Sequence, residues 1–195
     1  MAPKTLTLGL FLTLIGSSIG RADGGRLLFS FDTPGDATRW SIVNDGVMGG
    51  RSSSDVSIVT PPDSAPGGGG MRFAGNLSLA NNGGFASVRS APIGGWDLRA
   101  DDTFILRVRG DGRTYTLNLY PDDRRTAFSF QQDFPTQSGR WIEARLPVSG
   151  FVASSYGRDQ PGIRLDPARI RSIGILLGDK QPGPFNLIVD SIQLE

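Results

Sequence analysis

The residues able to bind or react are concentrated in two glycine-rich stretches. The first is Asn44-Asp45-Gly46-Val47-Met48-Gly49-Gly50-Arg51-Ser52. The second runs from Gly75 and Asn76 through Ser78, Asn81, Asn82, Gly83, Gly84 and Phe85 to Ser87 and Arg89. Their amides, hydroxyls and carboxylate supply hydrogen-bond donors and acceptors, and glycine permits positive φ and close backbone approach. Each stretch supports two readings. In the first, Asn44 and Asp45 close an Asx-type turn, with Gly46, Gly49 and Gly50 lending backbone freedom and Met48 plugging the end of the fold. Alternatively it is the rim of a cleft that presents Asp45, Arg51 and Ser52 to a ligand or client. In the second, Asn76, Ser78, Asn81, Asn82 and Ser87 either cap stray backbone groups at a bulge, or fix a sugar or peptide against the Phe85 ring. A meeting of the two stretches in space would favour a shared site.

Other candidates are weaker. Arg109-Gly110-Asp111-Gly112-Arg113 reads as a hairpin, Asp-Gly being a favoured pair for a type I′ connection. Arg107, Arg109 and Arg113 could also line one sheet face and take a carboxylate or phosphate. Asp179-Lys180-Gln181 ahead of Pro182-Gly183-Pro184 is a loop with a stiff exit. Trp96, after Gly94-Gly95, is the expected exposed platform among the three tryptophans.

Catalysis is poorly served. With no cysteine and no histidine, thiolate nucleophiles, Cys/His metal sites and histidine triads are excluded. Asp101-Asp102 and Asp122-Asp123 are sequence neighbours, which project to opposite faces of a strand. No glycine loop feeds a helix as a dinucleotide site requires. A binding site without a cofactor is expected, with oxygen-only Ca²⁺ binding left open.

Positioning such loops requires a scaffold of strands. From Arg26 onward, apolar residues alternate in short runs bounded by Gly, Pro, Asn or Asp. The runs are 27–31, 39–43, 56–59, 71–74, 85–89, 103–109, 114–120, 127–131, 140–146, 173–177 and 185–194, the last with an irregularity near Ser191. Thr103–Arg109 and Thr114–Tyr120 are expected to pair across the Asp-Gly turn, and 127–131 with 140–146. Phe104, Leu106 and Val108 share one face, as do Tyr115, Leu117 and Leu119. One helical turn is expected near 166–170, with Asp166 capping and Pro167 first. About ten strands and no sustained helical period predict an all-β sandwich forming one domain over residues 23–195. A formal charge of +1 gives no reason to expect nucleic acid.

Residues 1–22 read as an export signal. Lys4 precedes an apolar run from Leu6 to Ile19, and Gly20-Arg21-Ala22 supplies small residues before a cleavage point. Cleavage after Ala22 gives a periplasmic or luminal protein; an uncleaved segment anchors the chain in a membrane by its N-terminus. No membrane span follows in the mature chain.

Several of these stretches, in this order, resemble the complex I intermediate-associated protein family. They are Trp40 with Asn44–Ser52, Phe73–Ser78, Asn82–Arg89, Arg107–Tyr115 and Ile173–Leu187. The resemblance covers nearly all of the chain from Phe29 to Glu195. It implies a galactose-binding-like jelly roll and a chaperone-like, non-enzymatic role in assembling respiratory NADH:ubiquinone oxidoreductase, with a protein client or membrane complex as partner. An export signal departs from that pattern, because the assembly intermediates lie on the matrix side, which corresponds to the bacterial cytoplasm. The alternative is an exported module that binds a carbohydrate or another small ligand.

Overall fold

Short alternating runs cannot bury their apolar faces alone, and here they do so by packing two antiparallel sheets together. The computed structural model describes residues 25–61, 63, 68–123 and 128–195. The export-signal segment 1–22 and residue Ala127 lie outside the described residues. The strands are β1 (Arg26–Ser30), β2 (Trp40–Ile42), β3 (Ser53–Val59), β4 (Gly70–Leu77), β5 (Ala86–Ser90), β6 (Thr103–Arg109) and β7 (Thr114–Pro121). They continue with β8 (Phe128–Pro135), β9 (Trp141–Pro147), β10 (Val152–Ser155), β11 (Arg158–Asp159), β12 (Ile170–Leu177) and β13 (Gly183–Leu194).

One sheet has the order β3-β4-β13-β6-β9, with β1 also on β13; the other runs β11-β10-β8-β7-β12-β5-β2. Alternation decides what lies between them. Phe104, Leu106 and Val108 of β6 meet Leu117 and Leu119 of β7 and Ile173 and Ile175 of β12 in one core, all at 0% exposure. The Pro167–Arg169 turn forms as expected: the Asp166 side chain accepts from Ala168 N, and proline occupies the first turn. The register of β13 shifts between Val189 and Ser191, at the expected irregularity.

Two expected pairings do not form. β6 pairs with β13 and β9, whereas β7 pairs with β8 and β12, so residues 110–113 cross between sheets and are not a hairpin turn. β8 and β9 likewise belong to opposite sheets. An Asp-Gly pair bends the chain locally, but the partner of each strand is set by long-range burial. The expected strands did not include β10 and β11, which form a short hairpin. No helix among the described residues is long and apolar enough to cross a membrane.

Candidate functional site

The two glycine-rich stretches meet at one end of the sandwich, and Asp45 joins them. It begins the short turn Asp45–Met48 in the β2–β3 loop and is fully buried. Oδ1 accepts from Ser52 N at 2.9 Å. Oδ2 accepts from Ser52 Oγ at 2.6 Å, Gly84 N at 2.7 Å and Phe85 N at 3.4 Å. The Ser52 hydroxyl donates to Asp45 and accepts from Ser78 N at 3.0 Å, drawing in the start of the second stretch. Asn44 makes a parallel tie: its Oδ1 accepts from Ser54 Oγ of β3 at 2.9 Å and Ser87 N of β5 at 3.3 Å. Two consecutive side chains thus fasten the edge of one sheet to the other.

Space for the carboxylate comes from missing side chains. A Cβ on Gly50 would lie 2.3 Å from Asp45 Cγ, and one on Gly83 would lie 2.5 Å from Asp45 Oδ2. Burial raises the Asp45 pKa, but the bonds donated by Ser52, Gly84 and Phe85 outweigh it and hold the carboxyl below its ordinary value. The group is an ionised structural clasp with its acceptor positions filled by the chain itself.

Met48 is not a plug. It is 54% exposed, and its neighbour Val47 is 75% exposed. The carboxylate takes the interior position because its hydrogen bonds are met there, and the turn following it points the apolar residues outward. Leu79, 44% exposed, lies against the same clasp, its Cδ2 3.3 Å from where a Gly84 Cβ would be. Gly49, Arg51, Asn76 and Asn82 are exposed, and Phe85 is half-buried. Trp96 is buried, its Nε1 donating to Ile170 O at 3.0 Å, and is no exposed platform.

A second cluster sits at the same end, where Gly183 is the register partner of Leu77. Arg113 grips Asp179 with two bonds, Nε to Oδ2 at 2.9 Å and Nη2 to Oδ1 at 2.6 Å. It also donates to the carbonyls of Gln181 and Pro184. Asp179 raises the Arg113 pKa, chiefly through the hydrogen bond between them. Burial raises the Asp179 pKa, and Arg113 with Gln181 N overcomes that to lower it. Asp111 accepts from Arg113 N, Tyr115 Oη and Asn186 N, so it holds the crossing loop to β13. Arg107 and Arg109 face Asp190 and Asp63 from β6, at 3.6 and 3.4 Å. The three arginines therefore do not form one anion-binding row. Sequence reasoning missed the pairing of Arg113 with Asp179, which lie 66 positions apart.

A sequence model of the family described as Complex I intermediate-associated protein 30 matches residues 29–189. The chain belongs to this family. Complex I intermediate-associated protein 30, mitochondrial, of Mus musculus is 30% identical over 187 residues, covering 86% of this chain and 55% of that protein. Those of Drosophila melanogaster and Neurospora crassa are 27% and 24% identical, over 87% and 90% of this chain and 62% and 75% of theirs. The chain thus spans about half the length of the mouse relative. Among solved structures, the Family 11 carbohydrate-binding module from Clostridium thermocellum in complex with a mixed-linked tetrasaccharide superposes with a TM-score of 0.62. Its identity is 16%, over 89% of this chain and 96% of the module. That likeness is one of fold, and agrees with the jelly-roll expectation.

Proposed function

We propose that this chain is a non-catalytic protein-binding domain that acts as an assembly factor, using the clasped end of the sandwich to hold a protein client. Membership of the Complex I intermediate-associated family carries the reading, and the client it suggests is an intermediate or subunit of respiratory NADH:ubiquinone oxidoreductase. The geometry supports a surface over a reactive centre. The carboxylate of the clasp is engaged by its own chain, and Val47, Met48 and Leu79 are displayed around it. Exposed apolar side chains on a braced loop suit a protein interface. The carbohydrate reading has less to stand on, because Trp96 is buried and, in the polar set around Phe85, the Ser78 and Ser87 hydroxyls are hydrogen-bonded within the chain.

Residues 1–22 are proposed to direct export, leaving residues 23–195 as one domain. An exported chain would meet its client on the far side of the membrane from the mitochondrial pattern. N-terminal sequencing of the fractionated full chain separates cleavage after Ala22 from a retained anchor. For the binding reading, a photo-crosslinking residue at Met48 in the source cells is expected to capture a component of NADH:ubiquinone oxidoreductase. Capture of only the proteins that a probe at exposed Ile163 also finds would overturn it.

A further inference from the structure

The outer face of the seven-stranded sheet carries a row of side chains that take no part in the clasp interactions. Ser41, Arg89, Gly174, Asn118, Gln131 and Val152 are successive register partners across β2, β5, β12, β7, β8 and β10. Their neighbours Val88, Ile175, Leu117 and Phe130 fill the core, so this row projects away from it. Asn118 is nonetheless only 1% exposed. A directed relay fixes its amide: Gln131 Nε2 donates to Ser129 Oγ at 3.1 Å, and Ser129 Oγ donates to Asn118 Oδ1 at 2.9 Å. The relay ends on Asn118 Nδ2, a buried donor with no acceptor.

Arg89 repeats the pattern beyond Gly174. Its guanidinium carbon lies 3.5 Å above the centre of the Tyr120 ring, and its Nε is buried with no acceptor. No carboxylate among the described residues lies within ion-pair distance of it. The Tyr120 ring occupies the room left by Gly174, where a Cβ would stand 3.0 Å from Tyr120 Cε2. Both orphaned groups are donors, so what they lack is an acceptor, and one of them is a permanent cation. Leaving such donors buried and unmet is costly, which sets them apart from ordinary surface side chains.

We propose that this sheet face binds an oxyanion, a carboxylate or phosphate group, held by Arg89 and Asn118, the register partners that flank Gly174. Stacking on Tyr120 fixes the plane of the guanidinium, and its Nε is the donor left without an acceptor. Arg89 and Tyr120 are half-buried while Asn118 lies deeper. Arg89, the more exposed of the two donors, therefore meets the oxyanion first, and Asn118 Nδ2 is the deeper donor. This site shares no residue with the clasp and stands whether or not the clasped end binds a client.

The test is an NMR titration of the isotope-labelled full chain at constant ionic strength, with sodium phosphate, sodium galacturonate and neutral galactose in separate arms. The expected result is a saturable shift of the Gly174 amide and the Asn118 side-chain amide with at least one anion and none with galactose. The arm that responds more strongly distinguishes phosphate from carboxylate. Arg89→Gln is expected to weaken binding roughly tenfold or more, as loss of a charge-assisted pair would. Asn118→Leu, which removes the unmet donor, should fold and also weaken binding. Equal shifts with galactose, no saturation with either anion, or anion shifts unaltered in both variants would each overturn the proposal.

Discussion

Asp45→Asn tests the clasp with little change of size. An amide offers one acceptor oxygen where the carboxylate offers two. If that oxygen serves Ser52 Oγ and Gly84 N, the new NH₂ group faces Ser52 N, a donor 2.9 Å away in the wild type. One charge-assisted bond is lost, at about 1.5–3 kcal/mol, and the remaining bonds weaken to neutral strength, for a total of about 3–4 kcal/mol. In a chain of this size that corresponds to a fall in Tm of roughly 10 °C. Urea denaturation should show a lower midpoint at an unchanged slope, since the same surface is exposed on unfolding. The sign of the pH dependence follows from the depressed carboxyl pKa. Stability from Asp45 is complete above the ordinary value of 3.8 and is lost as pH falls through the lower folded value. The gap between wild type and Asp45→Asn should therefore hold steady from about pH 5 to 8 and close in more acid solution. A gap under about 1 kcal/mol at neutral pH, or one that widens on acidification, would refute the clasp as the bracing element.

Further outcomes distinguish bracing from display. Gly50→Ala should cost about 1–3 kcal/mol by forcing a methyl into the Asp45 carboxylate. Gly46→Ala, with nothing within 4 Å of its Cβ and no positive φ, should stay within about 0.5 kcal/mol; both are read by urea denaturation. Arg113→Lys should cost about 2 kcal/mol, because lysine cannot reproduce the two-point grip on Asp179 in a setting where the side chains are 12% and 9% exposed. The same measurement on Asp179→Asn checks that pair from the other side. Val47→Asp with Met48→Asp should leave stability within about 0.5 kcal/mol per site, since both residues are exposed, yet abolish the capture made by a photo-crosslinking residue placed instead at exposed Leu79.

Local signals were legible in the sequence. The strand faces of β6 and β7 followed from period-2 alternation, and the Asp166–Pro167 cap followed from residue types within one turn. The glycine-rich stretches stood out as the candidate loops, and the family resemblance extended to the same segments; that they meet was shown by the Asp45 and Ser52 hydrogen bonds. Long-range features were not legible. Asn44-Asp45 beside glycine suggests a local Asx turn, whereas Asp45 closes on backbone 39 and 40 positions later. The usable signal was Gly50 and Gly83 together: small residues in both stretches leave room for one side group between them. Met48 was misplaced because apolar character predicts burial, yet the buried place was taken by a carboxylate with enough donors around it. The crossing at 110–113 was hidden because turn chemistry specifies a bend and carries no information about which sheet the next strand joins.

The central claim, that the clasped end presents a client-binding surface for NADH:ubiquinone oxidoreductase assembly, is tested most directly by native-gel measurement of assembled enzyme in source cells lacking this chain. The account predicts that assembled enzyme falls on deletion. It also predicts that the wild-type chain restores it, while the stably folded Val47→Asp, Met48→Asp chain does not. Wild-type levels of assembled enzyme in the deletion strain, or full rescue by the doubly substituted chain, would contradict it.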